Sequence, residues 1–212
     1  MRASLATASQ RAKSLVLLPA RHLSPHWRAA ARSSVLSKLI ERLQRWGFSW
    51  SGWSDNRRGE WWLAAQLLLI AAHLLPALPP PSRLGIDWPL PLRLVGLALL
   101  AVGLLLALQA FLNLGDSLTP LPEPMPGAAL VTAGPYGRCR HPLYQAVLLC
   151  SLGMVIALGS LLHLVLLLGL AAVLGGKARR EERALCAAHP GYPAYRERTP
   201  AIVPSLPWLD WR

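Results

Sequence analysis

The apolar stretch that decides the fold is residues 145–176, QAVLLCSLGMVIALGSLLHLVLLLGLAAVLGG, which contains no Asp, Glu, Lys or Arg. A single helix of this length would be about 48 Å long, whereas the hydrocarbon core of a bilayer is about 30 Å thick. Gly159 and Ser160 interrupt the run near its middle. The sequence therefore predicts two helices of about sixteen residues joined by a tight turn, a hairpin that returns the chain to the side it left.

The composition of the chain is that of an integral membrane protein. Apolar residues make up 53% of the 212 residues, and mean hydropathy is +0.35. The net charge of +12 comes from Lys and Arg residues that flank apolar spans, as anchoring charges on the cytoplasmic side do. Nucleic acid is not an expected partner, because no zinc-binding or RNA-binding signature is present. No metal site is predicted either, since the cysteines do not have the Cys-x-x-Cys spacing of a zinc site. They are Cys139, Cys150 and Cys186.

Two further apolar spans precede the hairpin. One begins at Trp61 and runs to about Leu78, where three prolines follow. The other covers residues 92–114, and its Gly96 and Gly103 share a face that would let a neighbouring helix approach closely. The expected fold is therefore all-α: a polytopic membrane protein with about four transmembrane helices, a C-terminal helical hairpin and a cytoplasmic C-terminal segment.

Two histidines interrupt these apolar spans, His73 in the first and His163 near the far end of the hairpin. An ionisable residue inside a span is a candidate functional residue. Apart from Gln66, two turns away, no polar residue lies at helical spacing from His73, so we expect this histidine to make a structural hydrogen bond. We expect His163 to cap its helix or to make a local hydrogen bond. Cys139 is expected to be a small apolar residue, with a thiol in a pocket as the alternative.

The chain divides into four segments. Residues 1–33 are a basic, Ser- and Ala-rich tail that is either an organelle targeting segment or disordered. Residues 34–60 are predicted to form an amphipathic helix, lying on the membrane or packed on protein, and a Trp-rich link. Residues 61–133 hold two spans and a Pro-rich loop, and residues 134–212 hold the hairpin with its flanks. The Pro-rich end, with Trp208 and Trp211, is expected at the membrane interface.

Polar residues gather on both sides of the predicted hairpin. Residues 134–144 read GPYGRCRHPLY, and the charged segment after the hairpin begins at Lys177 and contains Glu181 and Glu182. Because the hairpin returns the chain to the same side, the two groups are expected to form one site. Arginine binds carboxylates, glutamate attracts ammonium groups, and tyrosine faces accept cations or an adenine ring, so this set suits a zwitterionic, cationic ligand.

The order of these pieces resembles a known family, the isoprenylcysteine carboxyl methyltransferases with their phospholipid and small-thiol methyltransferase relatives. The resemblance covers residues 134–204. Two positions depart from the family pattern: Lys177 stands where arginine is common, and Ala146 where glycine is common. The matching pieces, in chain order around the hairpin, are Gly134-Pro135-Tyr136, Arg140-His141-Pro142-x-Tyr144, Glu181-Glu182 and Tyr192-x-x-Tyr195-x-x-Arg198.

The resemblance implies S-adenosylmethionine as the cofactor and assigns roles to residues of this chain. The residues implied to bind the cofactor are Tyr136, Arg140, His141, Pro142, Tyr144, Glu181, Tyr192, Tyr195 and Arg198. The residues implied to be catalytic are Glu181, Glu182 and Lys177. Which glutamate contacts the cofactor and which the acceptor is left open.

The function implied is transfer of a methyl group to a lipophilic or prenylated acceptor from the bilayer. Phospholipid amines and small thiols stay open as acceptors. Two other readings also stay open, a nicotinamide-dependent reductase on the related sterol reductase scaffold and a non-catalytic membrane scaffold. The site would lie on the cytoplasmic, stromal or matrix face, membrane lipids are expected partners, and the sequence indicates no oligomeric state.

Overall fold

The fold is all-helical, as predicted, throughout the part of the chain described by a computed structural model, which is residues 50–203 apart from Pro126, and residues 210–211. The predicted N-terminal tail, the amphipathic helix before Trp50, and Trp208 lie outside the described residues. Short 3-10 turns occur at Pro81–Leu84, Gly115–Ser117 and Gly134–Gly137. The α-helices, in chain order, are α1 (Trp50–Asp55), α2 (Glu60–Ala72), α3 (Leu90–Leu114), α4 (Pro142–Leu158), α5 (Leu161–Ala188) and α6 (Tyr192–Arg198).

The predicted hairpin is present as α4 and α5, with its turn at Gly159 and Ser160. Gly159 has a left-handed backbone with φ 57°, and a Cβ there would lie 2.5 Å from the indole of Trp88, so the turn requires glycine. The Ser160 hydroxyl accepts from His163 N at the start of α5. Helix α5 is longer than expected, since its 28 residues continue from the apolar stretch into the charged segment without a break.

Within the described part of the chain, two helices are long and apolar enough to cross a bilayer, α3 with 25 residues and α5 with 28. Only 17% of the most apolar part of α3 is buried, whereas the core helix of a soluble protein is mostly buried. Helices α2 and α4 have 13 and 17 residues, which correspond to about 20 Å and 26 Å. The four-span topology is therefore not confirmed by helix length.

The first predicted span is shorter than expected. Helix α2 ends at Ala72 instead of continuing to Leu78. Pro76 accounts for the early end, because proline lacks the amide hydrogen and disfavours a helical conformation in the residue before it.

Helices α3 and α4 pack backbone against backbone. A Cβ on Gly96 would lie 2.6 Å from Gly153 O, and a Cβ on Gly103 would lie 2.5 Å from Cys150 Sγ. The close approach predicted for Gly96 and Gly103 is therefore confirmed. On α4, Gly153 faces Gly96, and Ala146 and Cys150 face Gly103.

The core lies between α4, α5 and the segment after α6. Leu170 and Leu174 of α5 are almost fully buried against Tyr144 and Trp211. A Cβ on Gly175 would lie 3.2 Å from the Trp211 indole. Trp211 is 6% exposed, because the neighbouring glycine leaves a space for the indole within the core. Its expected position at the membrane interface stays a prediction.

The two histidines of the apolar spans make structural hydrogen bonds, as expected. His73 Nδ1 lies 2.8 Å from Leu69 O and must donate, because a carbonyl only accepts; its Nε2 then accepts from Ser151 Oγ at 2.5 Å. His163 Nε2 donates to His73 O at 3.2 Å, and its Nδ1 accepts from Ser160 Oγ at 2.9 Å. This network joins α2, α4 and α5 at the end opposite Lys177.

Candidate functional site

A buried ionic cluster joins the two polar groups on either side of the hairpin. Glu182 Oε1 accepts from Arg140 Nε at 2.7 Å and from His141 Nε2 at 3.0 Å. The three side chains are between 0% and 4% exposed. The hairpin thus brings together residues about forty positions apart, as the sequence predicted.

Arg140 connects this cluster to α6. Its Nη1 donates to the carbonyls of Arg196, at 3.0 Å, and Thr199. Carbonyl groups at a helix C-terminus lack intrahelical partners, so the guanidinium caps α6. The backbone reinforces the contact, since Arg140 N donates to Pro200 O at 2.9 Å and His141 N donates to Ala201 O at 3.0 Å.

Two further charged residues complete the cluster. Arg196 Nε lies 3.1 Å from Glu182 Oε2. Asp210 Oδ1 lies 3.9 Å from Arg140 Nη2 and accepts from Ala201 N at 3.1 Å. Glu182 therefore lies between the guanidinium groups of Arg140 and Arg196, which makes it a structural anchor of the site.

The adjacent Glu181 has a different environment. Its Oε2 accepts from the Tyr144 hydroxyl at 2.7 Å, and its side chain is 30% exposed, against 2% for Glu182. The Tyr144 ring stacks on His141 with centroids 5.1 Å apart and planes at 3°. Lys177 Nζ lies 5.3 Å from the Tyr144 ring centroid, within cation–π range.

A cavity of about 80 Å³ lies beside Glu181. One wall is formed by residues between Leu114 and Val131, a segment that includes the almost fully buried Leu121. The opposite wall carries the polar groups. They belong to Tyr136, Arg140, Glu181, His189, Tyr192 and Tyr195.

The tyrosines of this cavity are neutral. Burial is the main cause that raises the pKa of Tyr195 to about 12 and holds the pKa values of Tyr136 and Tyr192 well above the ordinary range. The Tyr195 hydroxyl donates to Tyr136 O at 2.5 Å. The Tyr192 hydroxyl is buried and has no hydrogen-bond partner among the described residues, so it can still bind a ligand group.

Most of the residues singled out by sequence meet here. Pro142, completely buried, is the first residue of α4 and follows His141 at the helix start. Arg198 is exposed and does not line the cavity, whereas Arg196 contacts the cluster. The sequence reading missed Arg196, His189 and Gln66. The helical spacing from Tyr192 could have indicated Arg196, but nothing local marks Gln66, because its partner lies 111 positions away.

The chain matches a family model over the helices that carry this site. The match covers residues 92–188 and is to the model described as phospholipid methyltransferase. Residues 92–188, less than half of the chain, are similar to the phospholipid methyltransferase family. This is the isoprenylcysteine carboxyl methyltransferase-like family of membrane methyltransferases, so the resemblance noted from the sequence is confirmed. The family indicates methyltransferase activity in general terms, and with the two long apolar helices it supports membrane association.

Two curated proteins are similar over part of their length. The cobalt-zinc-cadmium resistance protein CzcN of Cupriavidus metallidurans is 45% identical over 78 residues, which are 36% of this chain and 36% of that protein. The nickel-cobalt-cadmium resistance protein NccN of Alcaligenes xylosoxydans xylosoxydans is 37% identical over 82 residues, 36% of this chain and 37% of that protein. The similarity thus spans about a third of each relative. No solved structure matches the chain.

Proposed function

We propose that the protein is an S-adenosylmethionine-dependent integral membrane methyltransferase that acts on a lipophilic acceptor. One observation carries the proposal: Glu181, on the helix that continues the apolar stretch, lines a cavity together with three tyrosines and an arginine. A carboxylate attracts the cationic groups of S-adenosylmethionine, and tyrosine faces accept a cation or an adenine ring.

The cavity residues fit this cofactor in their chemistry. The unpartnered hydroxyl of Tyr192 and the carboxylate of Glu181 offer a donor and an acceptor to a zwitterion. The volume of about 80 Å³ is smaller than the roughly 300 Å³ at which ligand pockets begin. Cofactor binding therefore requires this cavity to widen.

When bound, the cofactor supplies a methyl group already activated by the sulfonium charge. The chain then has to align the acceptor and exclude water. Tyr136 and Tyr195 both line the cavity, and the hydrogen bond from the Tyr195 hydroxyl to Tyr136 O holds them together. A carboxylate or thiolate acceptor needs no base, whereas an amine acceptor would pass its proton to Glu181, the more exposed glutamate.

The apolar surface of α3 supports a lipophilic acceptor. Leu104, Leu105, Leu108 and Leu112 of α3 are all more than half exposed, as expected of a helix that faces lipid. An acceptor with a hydrocarbon chain can reach the site laterally along such a surface. We place the site on the cytoplasmic or equivalent face, where Lys and Arg flank the spans, and we favour a prenylated cysteine or a phospholipid amine as the acceptor.

A labelled-methyl transfer assay tests this function. Full-length protein in detergent is incubated with methyl-labelled S-adenosylmethionine and separate lipid and protein extracts. We expect label in one lipophilic fraction and at least a tenfold loss for Glu181→Gln, since a charge-assisted hydrogen bond contributes about 1.5–3 kcal/mol. Glu197→Gln is the matched control, because Glu197 is exposed on α6.

Two results would contradict the proposal. One is no transfer to any fraction together with no cofactor binding by calorimetry at millimolar concentration. The other is NADPH-dependent turnover without methyl transfer, which would favour the reductase alternative.

A role in metal-ion resistance is a second candidate, since both similar proteins carry resistance to metal ions in their names. We propose that methylation of a membrane component is the route. A strain that lacks the protein is compared with a strain that carries Glu181→Gln. If catalysis is needed for resistance, the two strains should be equally sensitive to metal ions. Full resistance with the variant would exclude methylation as the route.

A further inference from the structure

Helix α2 lies outside the residues matched by the family, yet it packs along the helix that carries the glutamates. Its stripe of Trp62, Gln66, Leu69 and His73 has helical spacing and faces α5. Trp62 occupies the space that a side chain at Gly176 would need, and the methyl groups of Leu69 lie 3.6 Å and 3.9 Å from the Cβ position of Gly169. His73, at the far end of this stripe, contacts His163 of α5 through a hydrogen bond and an edge-to-face ring contact.

Gln66 is the polar member of the stripe that reaches the site. Its Oε1 accepts from Lys177 Nζ at 2.7 Å. Lys177 is 3% exposed, and a buried ammonium requires a hydrogen-bond acceptor. The amide of Gln66 is neutral, so it holds the ammonium without neutralising its charge.

The contact has a competitor on α5 itself. Lys177 and Glu181 are four residues apart, the spacing at which a lysine and a glutamate on one helix ordinarily form a salt bridge. Both side chains are described, yet no ion pair within 4.0 Å joins them. Lys177 donates to Gln66 instead, and Glu181 accepts from Tyr144 and lines the cavity.

We propose that Gln66 is a positioning residue of the methyl-transfer site, holding the Lys177 ammonium away from Glu181 so that this carboxylate stays available to the cofactor. The role of Glu181 in this inference rests on the proposed function. The contact between Gln66 and Lys177 does not, since it is a geometric feature of α2 and α5. The inference extends the site beyond residues 92–188 to a helix that precedes them.

Loss of the Gln66 amide has a specific consequence. Without that acceptor, the ammonium would turn to Glu181 and form the salt bridge that helical spacing permits. Glu181 would then be partly neutralised and less able to attract a cationic ligand. The loss should vanish when Lys177 is also replaced by an uncharged residue, because no ammonium remains to be redirected.

A double-mutant cycle with a packing control tests this. The variants are Gln66→Met, Lys177→Met, the double variant and Leu69→Ala, the control from the same stripe. The first measurement is the Kd for S-adenosylmethionine by calorimetry on the full chain in detergent. We expect Gln66→Met to weaken binding about tenfold in the parent protein and less than twofold in the Lys177→Met background. Leu69→Ala should lower thermal stability and leave Kd within twofold.

A second measurement does not depend on the cofactor. The rate at which Lys177 reacts with an amine-acylating reagent, mapped by mass spectrometry, should rise several-fold in Gln66→Met, because Glu181 is the more exposed partner. Leu69→Ala should leave that rate near the parent value. Equal rates in Gln66→Met and the parent protein, or an equal rise in both variants, overturn the positioning role. Absence of cofactor binding to the parent protein overturns the proposed function alone, and the acylation rates then decide on Gln66.

Discussion

Arg140 and Glu182 face each other across the hairpin, with Arg140 Nε 2.7 Å from Glu182 Oε1 and both side chains buried. Helix α4 begins two residues after the arginine, and α5 carries the glutamate. The ion pair therefore closes the open end of the hairpin, while Gly159 and Ser160 close the other end. Because Arg140 also caps α6, one buried contact sets the positions of three helices around the cavity.

Replacing Glu182 by glutamine should destabilise the fold strongly. The substitution removes the closer of the two carboxylates beside the buried Arg140 and leaves only Asp210, 3.9 Å away. Breaking a buried ion pair by removing one partner costs about 3–5 kcal/mol. Unfolding of the purified protein in detergent, followed by circular dichroism during heating or denaturant titration, measures the loss.

The exposed Glu197 provides the control for this measurement. Glu197→Gln makes the same chemical change on α6 and should alter stability by less than about 0.5 kcal/mol. Equal stability of the two variants would show that Glu182 is not an anchor.

Arg196 should matter more for stability than Arg198, which the family resemblance singles out. Arg196 Nε lies 3.1 Å from Glu182 Oε2, whereas Arg198 is exposed. Because Arg196 is itself partly exposed, its contact is screened, and we expect Arg196→Ala to cost about 1 kcal/mol and Arg198→Ala less than about 0.5 kcal/mol. Parallel melting curves of the two variants check this, and a larger loss for Arg198→Ala would contradict the observed geometry.

The helices and the hairpin could be predicted because the length of each apolar stretch and the glycine at position 159 can be read directly from neighbouring residues in the sequence. The end of α2 at Ala72 was misjudged, since apolarity continues to Leu78 and Pro76 had to be weighed against it. The burial of Trp211 could not be predicted, because its space depends on Gly175, which is distant in sequence.

The sequence predicted that these polar side chains would lie together, but not which of them would line the cavity and which would form the buried ionic cluster. Glu181 and Glu182 are adjacent in sequence, and only their rotation on α5 sends one to the cavity and the other to Arg140. The sequence could not indicate that Gln66 belongs to the site, because neither its residue type nor its spacing distinguishes it from an ordinary polar residue in a helix. Such contacts depend on how helices are rotated against each other, which apolar periodicity only approximates.

Glycine at position 153 should be required for the contact between α3 and α4. A Cβ there would lie 2.7 Å from both Gly96 O and Leu100 N, which are backbone atoms that cannot move aside. Overpacking of this kind costs about 1–3 kcal/mol, so we expect Gly153→Ala to lower stability by that amount. Thermal unfolding in detergent measures it.

Gly169 is the matched control, because it is also inside a helix and its Cβ would meet only Leu69 at an ordinary 3.6 Å. Gly169→Ala should be neutral or stabilising by up to about 1 kcal/mol, as expected from helix propensity. Similar destabilisation by both substitutions would show that the cost does not come from the close backbone approach.

The Cys139 thiol should stay unreactive at neutral pH although it lies within the motif before the hairpin. Burial is the main cause that raises the pKa of Cys139 to about 11, and the side chain is 3% exposed. The thiolate is the reactive form, so at pH 8 only roughly one molecule in a thousand carries it. We expect alkylation by iodoacetamide, mapped by mass spectrometry, to spare Cys139 at pH 8 and to increase as the pH approaches 11. The half-buried Cys186 is the internal reference. Labelling of Cys139 at pH 8 as fast as that of Cys186 would show that the motif holds an accessible thiol, because neither burial nor a raised pKa allows that rate.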